Sequence, residues 1–365
     1  MTSSAYYRYA CHTLGIFLII VQCQGCETIS SNPVYLSNPN LSSVKTDFPG
    51  NPYKNGRFVG PFRSVDSGVE SSWNYASWKL NPYRKRTPTA TSSDTPVVSY
   101  TQQLHDQKPH IVWLGHATVL LHLNGQSILI DPILATPRLF HGSRLGRLPI
   151  SPDKLSIDFL LATHAHRDHL DKQTVIQITG PAIKALVPMK MGKLLRRWRS
   201  DISVQEAGWY QTYDTASDIS ITLLPAYHWS RRHLFDTNSI LWGSYLIRTA
   251  DVTVFIAGDT GYAEHFKEIG TLFDDIDYAI LPIGSYAPDH IHKNSHMTPE
   301  QALQAFKDLN ANTMIPVHYG TFDLSDEPIA EPIERLVKEI KRRAIPKSSV
   351  AILAIGEAHF VQPKR

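Results

Sequence analysis

Four potential metal ligands fall within six residues, and this cluster constrains the fold more than any other feature of the sequence. His164, His166, Asp168 and His169 directly follow an apolar run at 157–163 that predicts a buried β-strand. Residues two apart in an extended chain point the same way, so His164 and His166 can converge on one ion. If the chain then turns into a helix, Asp168 and His169 can face a second ion nearby. The cluster therefore predicts a metal site at the end of a strand.

Three polar residues, each closing a later β-like run, offer the further ligands that two ions require. They are His228, Asp259 and His318. Two ions about 3.5–4 Å apart can share a bridging carboxylate, and Asp259 is the natural bridge because its two oxygens can serve two ions. Each residue alone would more often be a polar group of the core. Together with the 164–169 cluster they predict a two-ion centre.

The positions of the cysteines restrict the chemistry of this centre. Cys11, Cys23 and Cys26 all lie near the N-terminus, so the rest of the chain can hold neither a disulfide framework nor a thiolate zinc site. The ligands must therefore be histidine and carboxylate. This set suits two Zn2+ ions and is also compatible with manganese or iron.

Alternating β-like and helical runs from about residue 108 onward predict the fold class. Asn124-Gly125 between two apolar runs indicates a tight β-hairpin. Thr298, followed by Pro299 and Gln301, is typical of a capped helix start. Strands outnumber helices, which favours an α/β chain of the αββα sandwich type, with two sheets covered by helices.

The N-terminal residues are typical of an export signal rather than of a globular fold. The apolar run at 14–21 is short for a bilayer span, which needs about 20 residues. The sequence that follows resembles a bacterial lipoprotein signal, with Cys26 as the lipidated residue. An uncleaved membrane anchor and a non-functional hydrophobic tail are the alternatives. We predict a lipoprotein-like signal at 1–26, a tether and irregular extension at 27–105, and the main domain at 106–362.

Charge and the predicted signal bear on partners and location. A net charge of +3 with neutral histidine, without a basic stripe of interleaved aromatics, argues against nucleic acid. The signal predicts a membrane-anchored protein that faces the periplasm, with a cytoplasmic or inner-membrane-associated protein as the alternative. Two basic segments with apolar residues, 190–199 and 138–147, could contact lipid or could pack on the sheet with a solvated basic side.

Motifs along the chain mark a family resemblance. The HxHxDH run at 164–169, the later histidines and Gly258-Asp-Thr-Gly resemble the metallo-β-lactamase superfamily. Further motifs over roughly 110–335 are similar to the N-acylphosphatidylethanolamine-hydrolysing phospholipase D family. They are Trp113-Leu-Gly-His-Ala-Thr118, Asp131-Pro-Ile133, His228-Trp-Ser230, Asp236, Asn238, Leu241-Trp242, Gly258-Asp-Thr-Gly-Tyr262, Ile269-Gly270, Pro282-Ile-Gly284, Tyr286, Pro288 and His318-Tyr-Gly-Thr-Phe322.

The resemblance implies a metallo-hydrolase with two zinc ions. It also implies hydrolysis of a phospholipid phosphodiester, such as N-acylphosphatidylethanolamine, by a hydroxide that bridges the metals. A membrane surface is then an expected partner, and a homodimer is one expected assembly. The implied ligands form two sets and a bridge: His164, His166 and His228; Asp168, His169 and His318; and Asp259 between them.

The catalytic roles that the resemblance implies fall on Asp168, Asp259 and His296. Either carboxylate can accept the hydrogen bond of the attacking hydroxide. His296 can stabilise the leaving oxygen or the phosphoryl group, unless it is an exposed loop histidine. Asp131, at a strand end, can orient a ligand imidazole, and His116 either has such an outer role or packs against the sheet.

Two departures from the family leave the substrate open. Ser295 stands where the family pattern has glutamine, and the N-terminal signal is unlike that of the intracellular animal enzyme. A sugar-phosphate lactonase of the same fold and a non-catalytic, metal-stabilised lipoprotein are the competing interpretations. Hydrolysis of bis(p-nitrophenyl) phosphate by protein of measured metal content separates an enzyme from a scaffold.

Overall fold

Two β-sheets stacked on each other form the centre of the protein, and helices cover their outer faces. The computed structural model describes residues 32–60, 77–78, 95–100, 106–134 and 144–362. The predicted signal and Cys26 lie outside the described residues. Pro33–Arg365 form one compact unit, and the boundary predicted at 105/106 stays a prediction.

The strands of the described ranges form three sheets. One sheet has three strands in the order β1-β2-β3, one has six in the order β10-β11-β12-β13-β14-β15, and one has seven in the order β16-β4-β5-β6-β7-β8-β9. The strands are β1 (Val34–Leu36), β2 (Asn51–Lys54), β3 (Arg57–Phe58), β4 (His110–Gly115), β5 (Thr118–Leu123), β6 (Gln126–Ile130), β7 (Phe159–Leu161), β8 (Lys184–Pro188), β9 (Ser203–Ala207), β10 (Thr212–Tyr213), β11 (Ser220–Leu224), β12 (Ser244–Arg248), β13 (Thr253–Ile256), β14 (Tyr278–Pro282), β15 (Thr313–Val317) and β16 (Ala358–Phe360).

The central strands of the seven-stranded sheet are buried on both faces, which explains the apolar runs along β4 and β7. Along β4, Ile111 and Trp113 join the core shared with the six-stranded sheet. Val112 and Leu114 point the other way, into the core under the covering helices. Successive side chains of a strand alternate between faces, so both cores need apolar residues. The Tyr245 hydroxyl, on β12, ties the two large sheets together, since it lies 3.0 Å from Ala162 O, just after β7, and 2.9 Å from Leu186 O, in the middle of β8.

The local features predicted from turn and capping residues are confirmed. Asn124 and Gly125 both have positive φ, 50° and 73°, in a two-residue hairpin between β5 and β6. Thr298 and Gln301 form the reciprocal capping box, with Pro at the first helical position. The helices of the described ranges are α1 (Lys172–Gln177), α2 (Gly192–Trp198), α3 (His265–Leu272), α4 (Asp289–His292), α5 (Pro299–Asp308) and α6 (Glu331–Arg342), with short 3-10 helices at Pro152–Lys154 and Lys347–Ser349.

The stretch expected to be an extended tether contains the small sheet β1-β2-β3. Long-range hydrogen bonds order it: Trp209 N donates to Asn51 Oδ1 at 3.1 Å, and the Asn38 side chain donates to Glu206 O at 2.8 Å. Because these partners lie some 160 residues further along the chain, local composition does not reveal them.

The apolar run at 350–354 predicts a final strand, which the structure does not form. Val350 makes only an isolated bridge to Met314 on β15, and the last strand is β16. Ala351 N donates to Met314 O at 2.8 Å, but residues 351–354 belong to no strand.

The sequence left open whether the basic segments 190–199 and 138–147 contact lipid or pack on the sheet. The structure answers part of this question. Leu195 of α2 is buried, and Leu194 and Trp198 pack against the outer core, so the apolar face of this helix is used within the fold. In the other segment, Arg144 Nη2 donates to Ile133 O at 2.7 Å, while residues 135–143 lie outside the described ranges. No helix within the described ranges is long and apolar enough to span a membrane.

Candidate metal centre

Loops that leave strands at one edge of the stacked sheets carry the predicted ligands. The strands β6 and β7 are parallel neighbours, as are β13, β14 and β15, so their carboxyl ends meet at the same edge. Asp131 follows β6, the 164–169 cluster follows β7, His228 follows β11, Asp259 follows β13 and His318 follows β15.

The chain turns sharply where these loops begin. Asp131 and His318 have positive φ, 47° and 65°, and so does Gly258, at 61°. A Cβ on Gly258 would lie 2.6 Å from the Thr163 side chain, closer than side-chain carbons approach. Glycine therefore lets the end of β13 meet the end of β7, which brings Asp259 next to the histidine cluster.

The first group of predicted ligands brings three imidazoles and one carboxylate together. His164 Nε2 lies 2.8 Å from His166 Nδ1, which lies 3.3 Å from His228 Nε2. Asp259 Oδ2 lies 3.9 Å from His164 Nε2 and 3.8 Å from His228 Nε2. Nitrogens about 2.0–2.1 Å from a tetrahedral zinc lie roughly 3.3 Å apart, so the group has the dimensions that one ion requires.

The second group consists of Asp168, His169 and His318, and it shares Asp259 with the first. Asp259 Oδ2 lies 3.0 Å from His169 Nε2, and Asp259 Oδ1 lies 3.0 Å from His318 Nε2. Asp168 Oδ2 lies 3.9 Å from His169 Nε2. Since Asp259 Oδ2 also lies within 4 Å of His164 Nε2 and His228 Nε2, the carboxylate contacts both groups, as a bridging ligand requires.

Several atoms at the middle of the centre are buried without a hydrogen-bond partner among the described residues. They include Nε2 of His169, Nε2 of His318 and Oδ1 of Asp259. A buried polar atom left without a partner costs about 1–3 kcal/mol, and several at one point need a common explanation. Bound cations supply it, since each of these atoms can serve as a ligand atom. The residues present therefore fit the metal ions that the family implies.

Asp131 holds a ligand of each group from behind. Its Oδ2 lies 2.8 Å from His169 Nδ1 and also accepts from the Thr163 hydroxyl at 2.7 Å. Because that hydroxyl donates to Asp131, its oxygen can accept from His164 Nδ1, 2.9 Å away. One carboxylate thus directs the Nε2 atoms of both His164 and His169 toward the centre.

His116 lies against the second group rather than only against the sheet. Its Nε2 is 3.3 Å from Asp168 Oδ2, and its ring centroid is 4.0 Å from that of His318. Burial lowers the pKa of His116 to about 3, so the neutral ring can donate one N–H to Asp168. Its backbone N–H donates to Thr321 Oγ1 at 2.7 Å, which fixes its position.

The loop before α5 places two further groups at the centre. His296 Nδ1 lies 3.9 Å from Asp259 Oδ2, and the side chain is only 12% exposed, so His296 is not an exposed loop histidine. Burial lowers the pKa of His296 to about 3, which keeps the ring neutral. The neighbouring carbonyl of Ser295 accepts from His228 Nδ1 at 3.0 Å and leaves His228 Nε2 to face the ligands.

Opposed charges stabilise the centre without metal. Burial alone would lower the pKa of His169, but the carboxylates of Asp259 and Asp131 outweigh it and raise the pKa well above its usual range. Burial alone would raise the pKa of Asp259, but the imidazoles of His169, His318 and His296 outweigh it and hold the pKa well below its usual range. A metal ion that binds His169 must therefore displace a proton.

All seven predicted ligands and His296 come together in the structure, while their roles as ligands and catalyst stay predictions. Sequence reasoning missed Thr163, which orients His164, and the carbonyl of Ser295, which orients His228. The position of Thr163 directly before the cluster was a usable signal. A backbone carbonyl carries no sequence signal at all.

Comparison with known proteins places this geometry in a family. A model of the beta-lactamase superfamily domain matches residues 126–319. N-acyl-phosphatidylethanolamine-hydrolyzing phospholipase D 1 of Caenorhabditis elegans is 33% identical over 265 residues, covering 67% of this chain and 74% of that protein. A metal-dependent hydrolase of Methanopyrus kandleri is 30% identical over 254 residues, covering 68% of this chain and 98% of that protein.

Solved structures share the fold. A metallo hydrolase from the archaeon Ignicoccus hospitalis superposes with a TM-score of 0.53 at 23% identity, covering 70% of this chain and all of that one. The chain spans 63% of the length of uncharacterized mycobacterial proteins that it matches at 34% identity. The predicted αββα sandwich is confirmed. The chain belongs to the metallo-β-lactamase superfamily.

Proposed function

We propose that this protein is a phosphodiesterase that hydrolyses a phospholipid such as N-acylphosphatidylethanolamine, with cleavage of the phospholipase D type. The observation that carries the proposal is the shared carboxylate: Asp259 Oδ1 lies 3.0 Å from His318 Nε2 of the second group, and Asp259 Oδ2 lies 3.8 Å from His228 Nε2 of the first group. A two-ion centre of this kind suits displacement at phosphorus. The relative of Caenorhabditis elegans, named for this activity, aligns over most of the same domain.

The proposed metal ions are two Zn2+, with His164, His166 and His228 for one, the second group for the other and Asp259 for both. When bound, such ions polarise phosphoryl oxygens and lower the pKa of water to about 7. Histidine nitrogens and carboxylate oxygens suit zinc, and manganese or iron use the same ligands.

We assign roles on the substrate to two side chains, those of His296 and Asp168. His296 is neutral, so it has one N–H to donate to a phosphoryl or leaving-group oxygen beside Asp259. The side chain of Asp168 is 15% exposed, compared with 2% for Asp259, the other predicted ligand carboxylate. Asp168 can therefore accept a proton from an attacking water. His116 donates to Asp168 from behind and holds it in place.

The test uses the full chain with its metal content measured by elemental analysis. We expect two metal ions per chain, hydrolysis of bis(p-nitrophenyl) phosphate, and release of phosphatidic acid from N-acylphosphatidylethanolamine in a mass-spectrometric lipid panel. Turnover of a sugar-phosphate lactone with no phosphodiester cleavage would replace the proposal with the lactonase. Bound metal with no turnover of any panel member would leave a metal-stabilised scaffold.

The N-terminal sequence supports a companion proposal on location. We propose that Cys26 is lipidated and that the mature protein is anchored to a membrane, facing the periplasm. Cys26→Ser should then move the protein from the membrane fraction to the soluble fraction and abolish incorporation of labelled fatty acid. Incorporation that persists in this variant would refute lipidation at Cys26.

A further inference from the structure

Two adjacent apolar side chains stand in solvent beside the metal centre. Leu234 and Phe235 are 74% and 84% exposed, the highest values of any large hydrophobic side chain in the described part of the chain. Each exposes apolar area that folding normally removes from water. A pair of this kind on one loop therefore needs a reason that the fold itself does not supply.

Leu234 and Phe235 lie on the loop of residues 230–238, here called the 230–238 loop, which internal hydrogen bonds hold in one conformation. At its base, Asn238 N donates to Ser230 O at 2.7 Å, and Ser230 N donates to Asn238 Oδ1 at 3.0 Å. At its tip, the backbone N–H groups of Arg232 and His233 donate to Asp236 Oδ1 at 2.9 and 2.7 Å. The loop is held in a conformation that presents the two apolar side chains outward.

The same loop is anchored on the predicted metal ligands. Buried Arg232 donates from Nη1 to Leu170 O at 2.6 Å, at the end of the 164–169 cluster. Ala165 N donates to Ser230 Oγ at 3.2 Å. The ring of Trp229 lies 4.4 Å from that of His166, measured between centroids. The base of the loop is therefore next to the metal centre.

Positive charge flanks the apolar tip. Exposed Arg57 lies against it, with Nη2 3.5 Å from Phe235 O. The Arg231 guanidinium lies 5.0 Å from the centroid of Trp229. The carboxylate of the loop, Asp236, already accepts two backbone N–H groups. Apolar residues that insert and arginines beside them are the combination by which proteins bind the interface of anionic membranes.

We propose that the 230–238 loop docks this protein on an anionic phospholipid surface. Leu234 and Phe235 enter the interface, Arg57 and Arg231 contact phosphate headgroups, and the metal centre faces the lipid. The choice of lipid rests in part on the proposed phosphodiesterase function, because a membrane-borne substrate must reach the metal centre, and Trp229, next to this loop, contacts the predicted ligand His166.

Insertion is measured by fluorescence in the full chain. Phe235→Trp should be quenched by vesicles of phosphatidylcholine and phosphatidylglycerol with brominated acyl chains, after subtraction of the wild-type signal. Val337→Trp is the matched control, because Val337 is 51% exposed on α6, a different element of the fold. This comparison detects insertion of the loop into the membrane whether or not the N-terminus also anchors the chain. Equal quenching of the two variants, or none at Phe235→Trp, overturns the proposal.

Two double variants test the contribution of the apolar side chains and the contribution of the arginine charges. Leu234→Ser/Phe235→Ser should lower turnover of vesicle-borne phosphodiester at least about tenfold, while hydrolysis of soluble bis(p-nitrophenyl) phosphate stays unchanged. Arg57→Gln/Arg231→Gln should remove the gain in Phe235→Trp quenching that phosphatidylglycerol produces over phosphatidylcholine alone. If no variant or wild type hydrolyses any phosphodiester, the proposed function fails while the quenching result still decides the docking. A different result would assign the tip to self-association instead. In that case the wild type is a dimer, the Leu234→Ser/Phe235→Ser variant is a monomer, and Phe235→Trp shows no quenching.

Discussion

Asp259 is the residue on which both groups of ligands depend. It is 3% exposed, and its carboxylate lies within 4 Å of imidazoles from four different loops. Its burial is tolerated because the surrounding imidazoles, and the cations they would hold, balance its charge.

Asp259→Asn should therefore remove metal and activity together. An amide has one oxygen and an NH2 group, so it cannot bridge two cations. Loss of a residue behind a ligand already costs 10- to 100-fold in affinity or activity, so we expect phosphodiesterase activity to fall at least about a hundredfold. Elemental analysis and bis(p-nitrophenyl) phosphate turnover are the measurements. Wild-type activity with two metal ions in this variant would contradict the assignment.

Asp131 acts on the ligands from behind, and its effect should be smaller. Asp131→Asn weakens the bonds from His169 Nδ1 and from the Thr163 hydroxyl. We expect metal affinity, measured by chelator competition, to fall about 10- to 100-fold. Asp158→Asn is the matched control, because Asp158 accepts from Ser127 N outside the centre. An equal fall in both variants would indicate a general loss of stability.

At the level of elements, the start of α5 fixes the loop that bears His296 and Ser295. Thr298 Oγ1 accepts from Gln301 N at 3.3 Å, and Gln301 Oε1 accepts from Thr298 N at 3.0 Å. The helix thus begins at a defined residue, two positions after His296. This capping motif therefore helps to fix the position of His296, which lies more than 30 residues away from Asp259 in sequence.

Thr298→Ala should destabilise the protein by about 1 kcal/mol, because it leaves a backbone N–H of the first turn without its partner. Urea unfolding measures the change. Thr271→Ala is the control, since Thr271 Oγ1 donates to Lys267 O on the exposed side of α3, and such a surface change stays within about 0.5 kcal/mol. If the two variants are equally stable, the capping box contributes nothing measurable.

At the scale of the whole molecule, the buried histidines make stability depend on pH. Burial lowers the pKa values of His116, His166, His228, His265 and His296 from 6.5 to about 3. The unfolded chain binds protons at these residues below about pH 6.5, and the folded chain resists doing so. The free energy of unfolding must therefore decrease as the pH falls from about 6.5 toward 3. His169 acts in the opposite direction, since its raised pKa favours folding until the pH rises through that value.

Metal-free protein should show this decrease in urea unfolding over a pH series with chelator present. Each histidine held neutral contributes a slope of up to about 1.4 kcal/mol per pH unit, and five outnumber the single opposing residue. Added zinc should raise the stability at neutral pH and steepen the decrease, because protons compete with the metal for the same nitrogens. A stability that is level between pH 6.5 and 4 would show that these histidines are not neutral in the folded protein.

The sequence by itself determined the features whose causes act over a few residues. The hairpin at Asn124-Gly125 follows from backbone preference, the start of α5 from capping, and the 164–169 cluster from its place after an apolar strand. The positions of His228, Asp259 and His318 at the ends of later β-like runs then added these residues. These predictions needed no knowledge of which strands are neighbours.

Only the tertiary structure decided what depends on neighbouring strands and distant loops. The sharing of Asp131 between His164 and His169, the contact of His116 with Asp168 and the carbonyl of Ser295 behind His228 all join separate segments. The small sheet at 34–58 was ordered by residues near 209, and the apolar run at 350–354 lacked a continuous partner strand. The physical reason is the same in each case: hydrogen bonds between segments far apart in sequence are set by strand order and loop packing, which no local pattern encodes.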